Sequence, residues 1–357
     1  MRAAAPSAEP EAGRVLIVDD SAVARAVLGR VVDASDRLHV AGSVSTAAAA
    51  LAFLRAGRVD LVILDIQMPG VDGLTALPDL LAAGGGAKVL IVSSAAGEGA
   101  AATIQALALG AADTLVKPVP GERSRGFEVE LIEKLERLFA PTDRPADQPI
   151  TPKPVSTVAL GSAGDAFDVI AIGASTGGIH ALSHLLRALP TEMATPILVT
   201  QHLPASFMPY FAAQLAVLAN RPCDVATDRM RLRPGRIVVA PGDAHLRCVS
   251  LGDGTGAIRL SRDPAASGCL PSVDPMFDSV ADCFGPRALG VVLSGMGRDG
   301  VEGARRLTAA GGCVVAQNEA SSVVWGMPGA VAAAGLATVL LDPPSLGALI
   351  ASRKRPL

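Results

Sequence analysis

Twice along this chain, short β-branched runs alternate with Ala- and Leu-rich segments of helical period, and a Pro-rich stretch separates the two series. The first series reads VLIVDD, AVARAVLGRVV, HVAGSV, TAAAALAFLRAG, LVILD, a Pro-containing helix, VLIVSS, TIQALALG and TLVKP. Parallel strands need a crossover between them, and strands apolar in both registers must be covered on both faces, so this alternation predicts a doubly wound, flavodoxin-like α/β sheet. The second series opens with FDVIAIG and the helix HALSHLLRAL. It continues through PILVTQ, a helix after Pro209, and a hairpin formed by RIVVAPGDAHLRCV and IRLSRD. ALGVVLSG, EGARRLTAAG, CVVAQN and a last helix near Pro328 to Gly335 complete a second parallel-sheet α/β unit.

A chain of 357 residues exceeds one ordinary core, so the two series are expected to be two domains. The expected division is a disordered tail over 1–13, a first domain over 14–140, a linker over 141–165 rich in Pro and polar residues, and a second domain over 166–350. No apolar stretch reaches the roughly 18 residues that crossing a bilayer requires, and the N-terminus MRAAAPSAEPEAG lacks the apolar core of a secretory signal. A cytoplasmic protein without membrane insertion is expected. The five cysteines, all in the second half, form no C-x-x-C pair and read as reduced thiols. With 31 basic and 34 acidic residues the net charge is −3, and no basic run offers a nucleic-acid footprint.

In a parallel sheet, ligands gather where loops leave the carboxyl ends of the strands. In the first series such positions hold Asp19 and Asp20, Asp65, Ser93 and Lys117. Three crowded carboxylates repel one another unless a hard divalent cation sits among them, and magnesium, which prefers oxygen ligands, suits the set. Asp65 is then a phosphoryl acceptor, with Lys117 contacting the phosphate as a point charge and Ser93 hydrogen-bonding one of its oxygens.

The second series carries G-x-S-x-G at Gly173, Ser175 and Gly177, between a strand and a helix. A serine on such a turn projects its hydroxyl outward beside helix-terminal N–H groups, whereas the phosphate-cradling G-x-G-x-x-G pattern is not met. A hydroxyl needs a neighbouring base to become a nucleophile. Of the five histidines, His202 ends a strand on the loop-bearing edge and is the best candidate base. His39 reads as structural and His180 and His184 as surface or interface residues, while His245 stays open as a substrate-side contact. Asp299, in the glycine-rich turn GMGRDG, is the candidate for orienting the imidazole.

The stretch from Val15 to Pro118, through DD, LDIQMPGVDG, SS and KP, resembles response-regulator receiver domains. The resemblance implies that Asp65 is the aspartyl-phosphate site, with magnesium among Asp19, Asp20, Asp65 and the backbone carbonyl of Gln67. It departs at Thr114, where receivers place an aromatic residue. That departure bears on an aromatic rotamer switch and leaves the phosphorylation chemistry untouched. From about Val169 to Leu341 the chain resembles the chemotaxis protein-glutamate methylesterases, the CheB family, through IGASTGG, QHLP, APGD-A-H, PSVDPMFDSVA, GMGRDG and QNEASSVVWGMPGAV. By that resemblance Ser175 is the nucleophile, His202 the base and Asp299 its orienter, with Thr176 and the Met296 backbone N–H nearest the oxyanion.

The implied function is a phosphorylation-regulated esterase that frees methanol from glutamate methyl esters on chemoreceptors and deamidates certain receptor glutamines. A chemotaxis histidine kinase is the implied phosphodonor, and the esterase itself needs no cofactor. The unphosphorylated receiver is expected to cover the esterase cleft. A non-catalytic, partner-binding output would not need Ser175, His202 and Asp299 together, while a hydrolase outside chemotaxis would keep every motif and differ in substrate.

Overall fold

The computed structural model describes residues 12–93, 97–118, 125–139, 167–252 and 255–352. The expected linker over 141–165 and all but the last two residues of the expected N-terminal tail lie outside the described residues.

The first unit follows the alternation read from the sequence. Its elements are β1 (Gly13–Val18), α1 (Ala22–Val32), β2 (Leu38–Val44), α2 (Ala47–Ala56), β3 (Leu61–Asp65), α3 (Gly73–Ala83), β4 (Lys88–Ser93), α4 (Gly97–Leu109), β5 (Asp113–Val116) and α5 (Arg125–Phe139). Gly13, assigned above to the tail, is instead the first residue of β1 and donates its amide to Arg37 O. The sheet order is β2-β1-β3-β4-β5 with every pairing parallel. Val15 to Val18 and Leu61 to Leu64 are buried throughout, as strands covered on both faces must be. Side chains set the helix starts: the Ser21 hydroxyl accepts from Ala24 N–H, Thr46 from Ala49 N–H and Asp72 from Thr75 N–H, each satisfying a first-turn donor with no helical partner. Because the strand order reverses between β1 and β3, the crevice above their carboxyl ends is the place for a ligand.

The second unit contains β6 (Val169–Ala174), α6 (Gly178–Arg187), β7 (Ile197–Gln201), α7 (Met208–Ala219), β8 (Cys223–Val225), β9 (Ile237–Val239), β10 (His245–Ser250) and β11 (Gly256–Ser261). It continues with α8 (Val273–Phe284), β12 (Ala288–Val292), α9 (Val301–Ala309), β13 (Cys313–Gln317), α10 (Met327–Ala333), β14 (Val339–Leu341) and α11 (Pro343–Ala351). The main sheet is seven-stranded and parallel, in the order β14-β13-β12-β6-β7-β9-β8.

Three features correct the sequence reading. The segment RIVVAPGDAHLRCV is not one hairpin arm: its Ile237–Val239 run joins the parallel sheet beside β7, and only His245–Ser250 pairs with β11 as an antiparallel hairpin. The last helix is not the one near Pro328, since β14 and α11 follow it and α11 ends at Ala351, one residue past the expected boundary. The sequence reading also assigned no helix to 273–284.

That unassigned helix, α8, anchors the core of the second unit. Val273, Met276, Phe277, Val280, Ala281 and Phe284 recur at helical spacing and are all buried. Gly303 and Gly290 let α9 and β12 approach Phe277 closely. A Cβ at Gly303 would sit 2.7 Å from the Phe277 Cβ, and one at Gly290 would sit 3.3 Å from its ring. Phe277→Ala is therefore expected to lower stability by about 3–5 kcal/mol, measurable as a shift in the chain's urea midpoint.

Candidate functional site

At the carboxyl edge of the first sheet the acidic residues converge as expected. Asp19 and Asp65 are buried and Asp20 is exposed, and one carboxylate oxygen from each lies within 4.8 Å of the others. Lys117 Nζ reaches Asp65 Oδ2 at 2.7 Å and Asp19 Oδ2 at 3.2 Å. Gln67 N–H donates to Asp65 Oδ1 at 3.1 Å and Ser21 N–H to Asp19 Oδ1 at 2.8 Å, which fixes both carboxylates. Ser93 ends β4 at the same edge and is buried. Burial lifts the Asp65 carboxyl above its ordinary range, and the Lys117 ammonium offsets this only in part. A cluster of hard oxygen donors with one ammonium for two buried carboxylates fits a divalent cation such as magnesium. Thr114, at the departure noted above, is buried and its hydroxyl has no hydrogen-bond partner among the described residues.

In the second unit, β6 delivers Ser175 onto a sharp turn. Ser175 N–H donates to Ser294 O at 3.1 Å, Gly178 N–H donates to Ser175 O at 2.8 Å, and the Gln201 side-chain amide donates to the same carbonyl at 2.9 Å. Gly177 closes the turn at φ 73°, in the left-handed region, where a Cβ would also meet Val323 at 2.5 Å. Gly295, just after β12, brings a neighbouring chain segment equally close, since a Cβ there would stand 2.9 Å from Ser175 Cβ. The next amide, Met296 N–H, follows one residue after this close approach. Thr176 is fixed through its carbonyl, which accepts from Ser294 Oγ at 2.8 Å.

His202 follows β7, the strand next to β6, and its amide donates to Ala174 O at 3.2 Å. Its Nδ1 lies 3.1 Å from Ser175 Oγ and its Nε2 lies 2.8 Å from Asp299 Oδ2. A carboxylate on Nε2 keeps a ring proton there, so in the neutral form of the ring the lone pair on Nδ1 faces the serine hydroxyl. The three residues named from the sequence thus meet in hydrogen-bonding series.

Asp299 is 2% exposed and is held from behind. Ser272 Oγ donates to its Oδ1 at 2.6 Å and Val273 N–H, at the start of α8, to its Oδ2 at 2.7 Å. Burial alone would raise this carboxyl, but the His202, Ser272 and Val273 bonds outweigh it and bring the pKa down to about 2. Burial alone would lower the His202 imidazole, yet its bond to Asp299 and the proximity of Cys269 lift it to about 9. Burial carries Asp274 the other way, to about 6, with the Asp299 charge adding to the rise, so of the two neighbouring carboxylates Asp299 ionises first.

His245, left open as a substrate-side contact, is a buried strut: its Nδ1 accepts from Ser272 N–H at 2.9 Å and its Nε2 donates to Asp263 O at 2.8 Å. His180 and His184 pair with each other, Nε2 to Nε2 at 3.2 Å. His39 lies within β2, as read. All five cysteines are free thiols. Sequence reasoning missed Ser272, the Val273 amide and Cys269 as neighbours of the imidazole and carboxylate. The first two lie in PSVDPMFDSVA, whose role becomes visible only once α8 is known to begin there. A cleft of about 260 Å³ opens beside Asp299, lined among others by Cys269, Met296, Arg298 and Glu302. Among the described residues no helix is long and apolar enough to cross a membrane.

A hydroxyl, an imidazole and a carboxylate in series at the edge of a parallel sheet, on a chain that also carries an acidic α/β unit, define a hydrolase-type site joined to a receiver. The CheB methylesterase family model matches residues 170–350, and the response regulator receiver domain model matches residues 15–125. The chain belongs to the CheB methylesterase family. It is 40% identical to the Caulobacter vibrioides protein named protein-glutamate methylesterase/protein-glutamine glutaminase 2, over 96% of this chain and 99% of that one. It is 38% identical to the protein-glutamate methylesterase/protein-glutamine glutaminase of Maricaulis maris, over 98% of each chain. The catalytic domain of the Thermotoga maritima CheB methylesterase superposes with a TM-score of 0.51 at 31% identity, covering 52% of this chain and 98% of that one.

Proposed function

We propose that this chain is a protein-glutamate methylesterase and protein-glutamine glutaminase whose output is governed by phosphorylation of its receiver. The reading rests above all on His202 standing between Ser175 Oγ and Asp299. Ser175 attacks the γ-carbonyl of a methylated glutamate on a chemoreceptor while His202 Nδ1 takes the hydroxyl proton. The imidazolium that forms is stabilised by Asp299, and it returns that proton to the leaving methoxide as methanol. Water, activated by the same nitrogen, then cleaves the acyl-enzyme to glutamate and restores the serine. A glutamine side chain follows the same course with ammonia leaving. The Met296 N–H and Thr176 supply the oxyanion contacts, and one donor of this kind contributes about 2.7–4 kcal/mol to the transition state.

In the receiver, residues 14–140, Asp65 accepts a phosphoryl group from a chemotaxis histidine kinase. Lys117 neutralises the transferred charge and Ser93 hydrogen-bonds the phosphate. Asp19, Asp20, Asp65 and the Gln67 carbonyl would hold magnesium, which supplies charge neutralisation for the transfer. The esterase, residues 166–350, uses no cofactor in this scheme, and the protein works in the cytoplasm.

The test is methanol release from methyl-labelled receptor membranes, with ammonia release from unmodified receptor as the second readout. The full chain is expected to release methanol, and faster with a small-molecule phosphodonor. Asp65→Asn is expected to keep the basal rate and lose the phosphodonor response. An equal response in that variant would remove Asp65 from the scheme, and absence of methanol from the wild type would remove the substrate.

A further inference from the structure

Cys269 is not needed for the ester chemistry, yet it lies against its centre. One ligand atom each from His202, Cys269 and Asp299 falls within 4.8 Å of the others. The three come from different parts of the fold: the end of β7, the loop before α8 and the turn after β12. From the geometry and the chemistry of these donors we propose that His202, Cys269 and Asp299 form an inhibitory zinc site that shuts the esterase when occupied.

Imidazole, thiolate and carboxylate are the three side-chain donors zinc uses, and three protein ligands with one open position is a common zinc arrangement. Bond lengths of about 2.0–2.3 Å place tetrahedral donors about 3.5 Å apart, so closing the set needs only a modest side-chain adjustment. Cys269 is half-buried and can supply it. The supporting shell already exists. Ser272 Oγ holds Asp299 Oδ1 at 2.6 Å, and the Ser267 hydroxyl, whose loop carries Cys269, donates to that same Ser272 oxygen at 3.1 Å. Outer contacts of this kind orient the ligands of zinc sites. The cleft of about 260 Å³ lined by Cys269 and Asp299 gives the ion a path in.

Coordination releases the thiol proton and occupies an imidazole lone pair. Through Nδ1 it removes the base that faces Ser175; through Nε2 it displaces the proton shared with Asp299. Either way the serine cannot be activated. Chelation restores the enzyme, because no covalent bond has formed.

The test uses the full chain in excess Mg2+, so that the receiver carboxylates are not free to take zinc. Zinc affinity is read by competition with a chromogenic chelator, independently of activity. Wild type and Ser175→Ala are expected to bind one zinc tightly. Cys269→Ser and Cys269→Ala are expected to weaken binding by about tenfold or more, with the four other cysteines still present. Methanol release, normalised to each protein's zinc-free rate, should fall in parallel with occupancy and recover with EDTA. Cobalt should give a thiolate charge-transfer band in Ser175→Ala that Cys269→Ser lacks. Unchanged zinc affinity in both Cys269 variants, or no tight zinc in the wild type, overturns the proposal. Because binding is read in the inactive Ser175→Ala protein, that result leaves the esterase assignment untouched.

Discussion

Ser175→Ala is expected to reduce methanol release by on the order of 10⁶ in kcat while leaving the fold and the receiver's phosphorylation intact. The magnitude follows from how a serine, base and carboxylate act as a unit: loss of the nucleophile alone costs about as much as loss of all three in a serine protease. The fold should survive because the turn is held by backbone rather than by the hydroxyl. Ser175 N–H is bonded to Ser294 O and Ser175 O receives both Gly178 N–H and the Gln201 amide. The variant should keep the urea midpoint of the wild type. Retained esterase turnover would show that some other group attacks the ester.

Asp299→Asn is expected to lower kcat by about 10⁴, and to do so through the imidazole rather than through substrate binding. An amide oxygen in the Oδ2 position could still accept from His202 and Val273, and the amide nitrogen could donate to Ser272. The negative charge is lost, and so is the Asp274 N–H bond to Oδ1 at 3.4 Å, which an amide nitrogen cannot accept. Burial, which pushes the His202 pKa down, then acts with less opposition, because the Asp299 bond, the largest of the contributions that raise it, is weakened. The imidazole titration, raised to about 9 in the wild type, should therefore move down in the variant. The sign is fixed: where a folded-state imidazole is raised, the associated stability is complete below its unfolded value near 6.5 and is lost as pH rises through about 9. The variant should lose that pH dependence. The checks are kcat from methanol release and the His202 titration by NMR, and an unshifted titration would mean that Asp299 does not face the ring.

Much of this was legible in the chain because parallel sheets leave a periodic signature and concentrate polar residues at strand ends. Asp19, Asp65, Ser93 and Lys117 could be placed at one edge without coordinates, and so could Ser175 and His202, since β6 and β7 are consecutive and adjacent. Where strand partners are distant in sequence, the reading failed. Ile237–Val239 pairs with β7 rather than entering a hairpin, because its apolar run is buried in the sheet core, and local alternation carries no information about which neighbour buries it. The helix α8 carries a regular apolar period, but Pro275 near its start and the flanking Pro271 read locally as loop. Proline is compatible with a first helical turn, where no intrahelical donor is lost.

Residue types and their spacing named the candidates for the chemistry, one hydroxyl, one imidazole and the carboxylates, and determined the division of the chain into an acidic receiver and a hydrolase. Tertiary structure alone decided what surrounds them. Ser272 and the Val273 amide lie about 26 residues before Asp299 in sequence yet bond directly to it, His245 braces Ser272, and Cys269 comes within 4.8 Å of His202 and Asp299. The physical reason is that hydrogen bonds and ligand contacts act over about 3 Å, and that proximity between distant segments is set by which apolar faces bury one another, not by any pattern within the segments themselves.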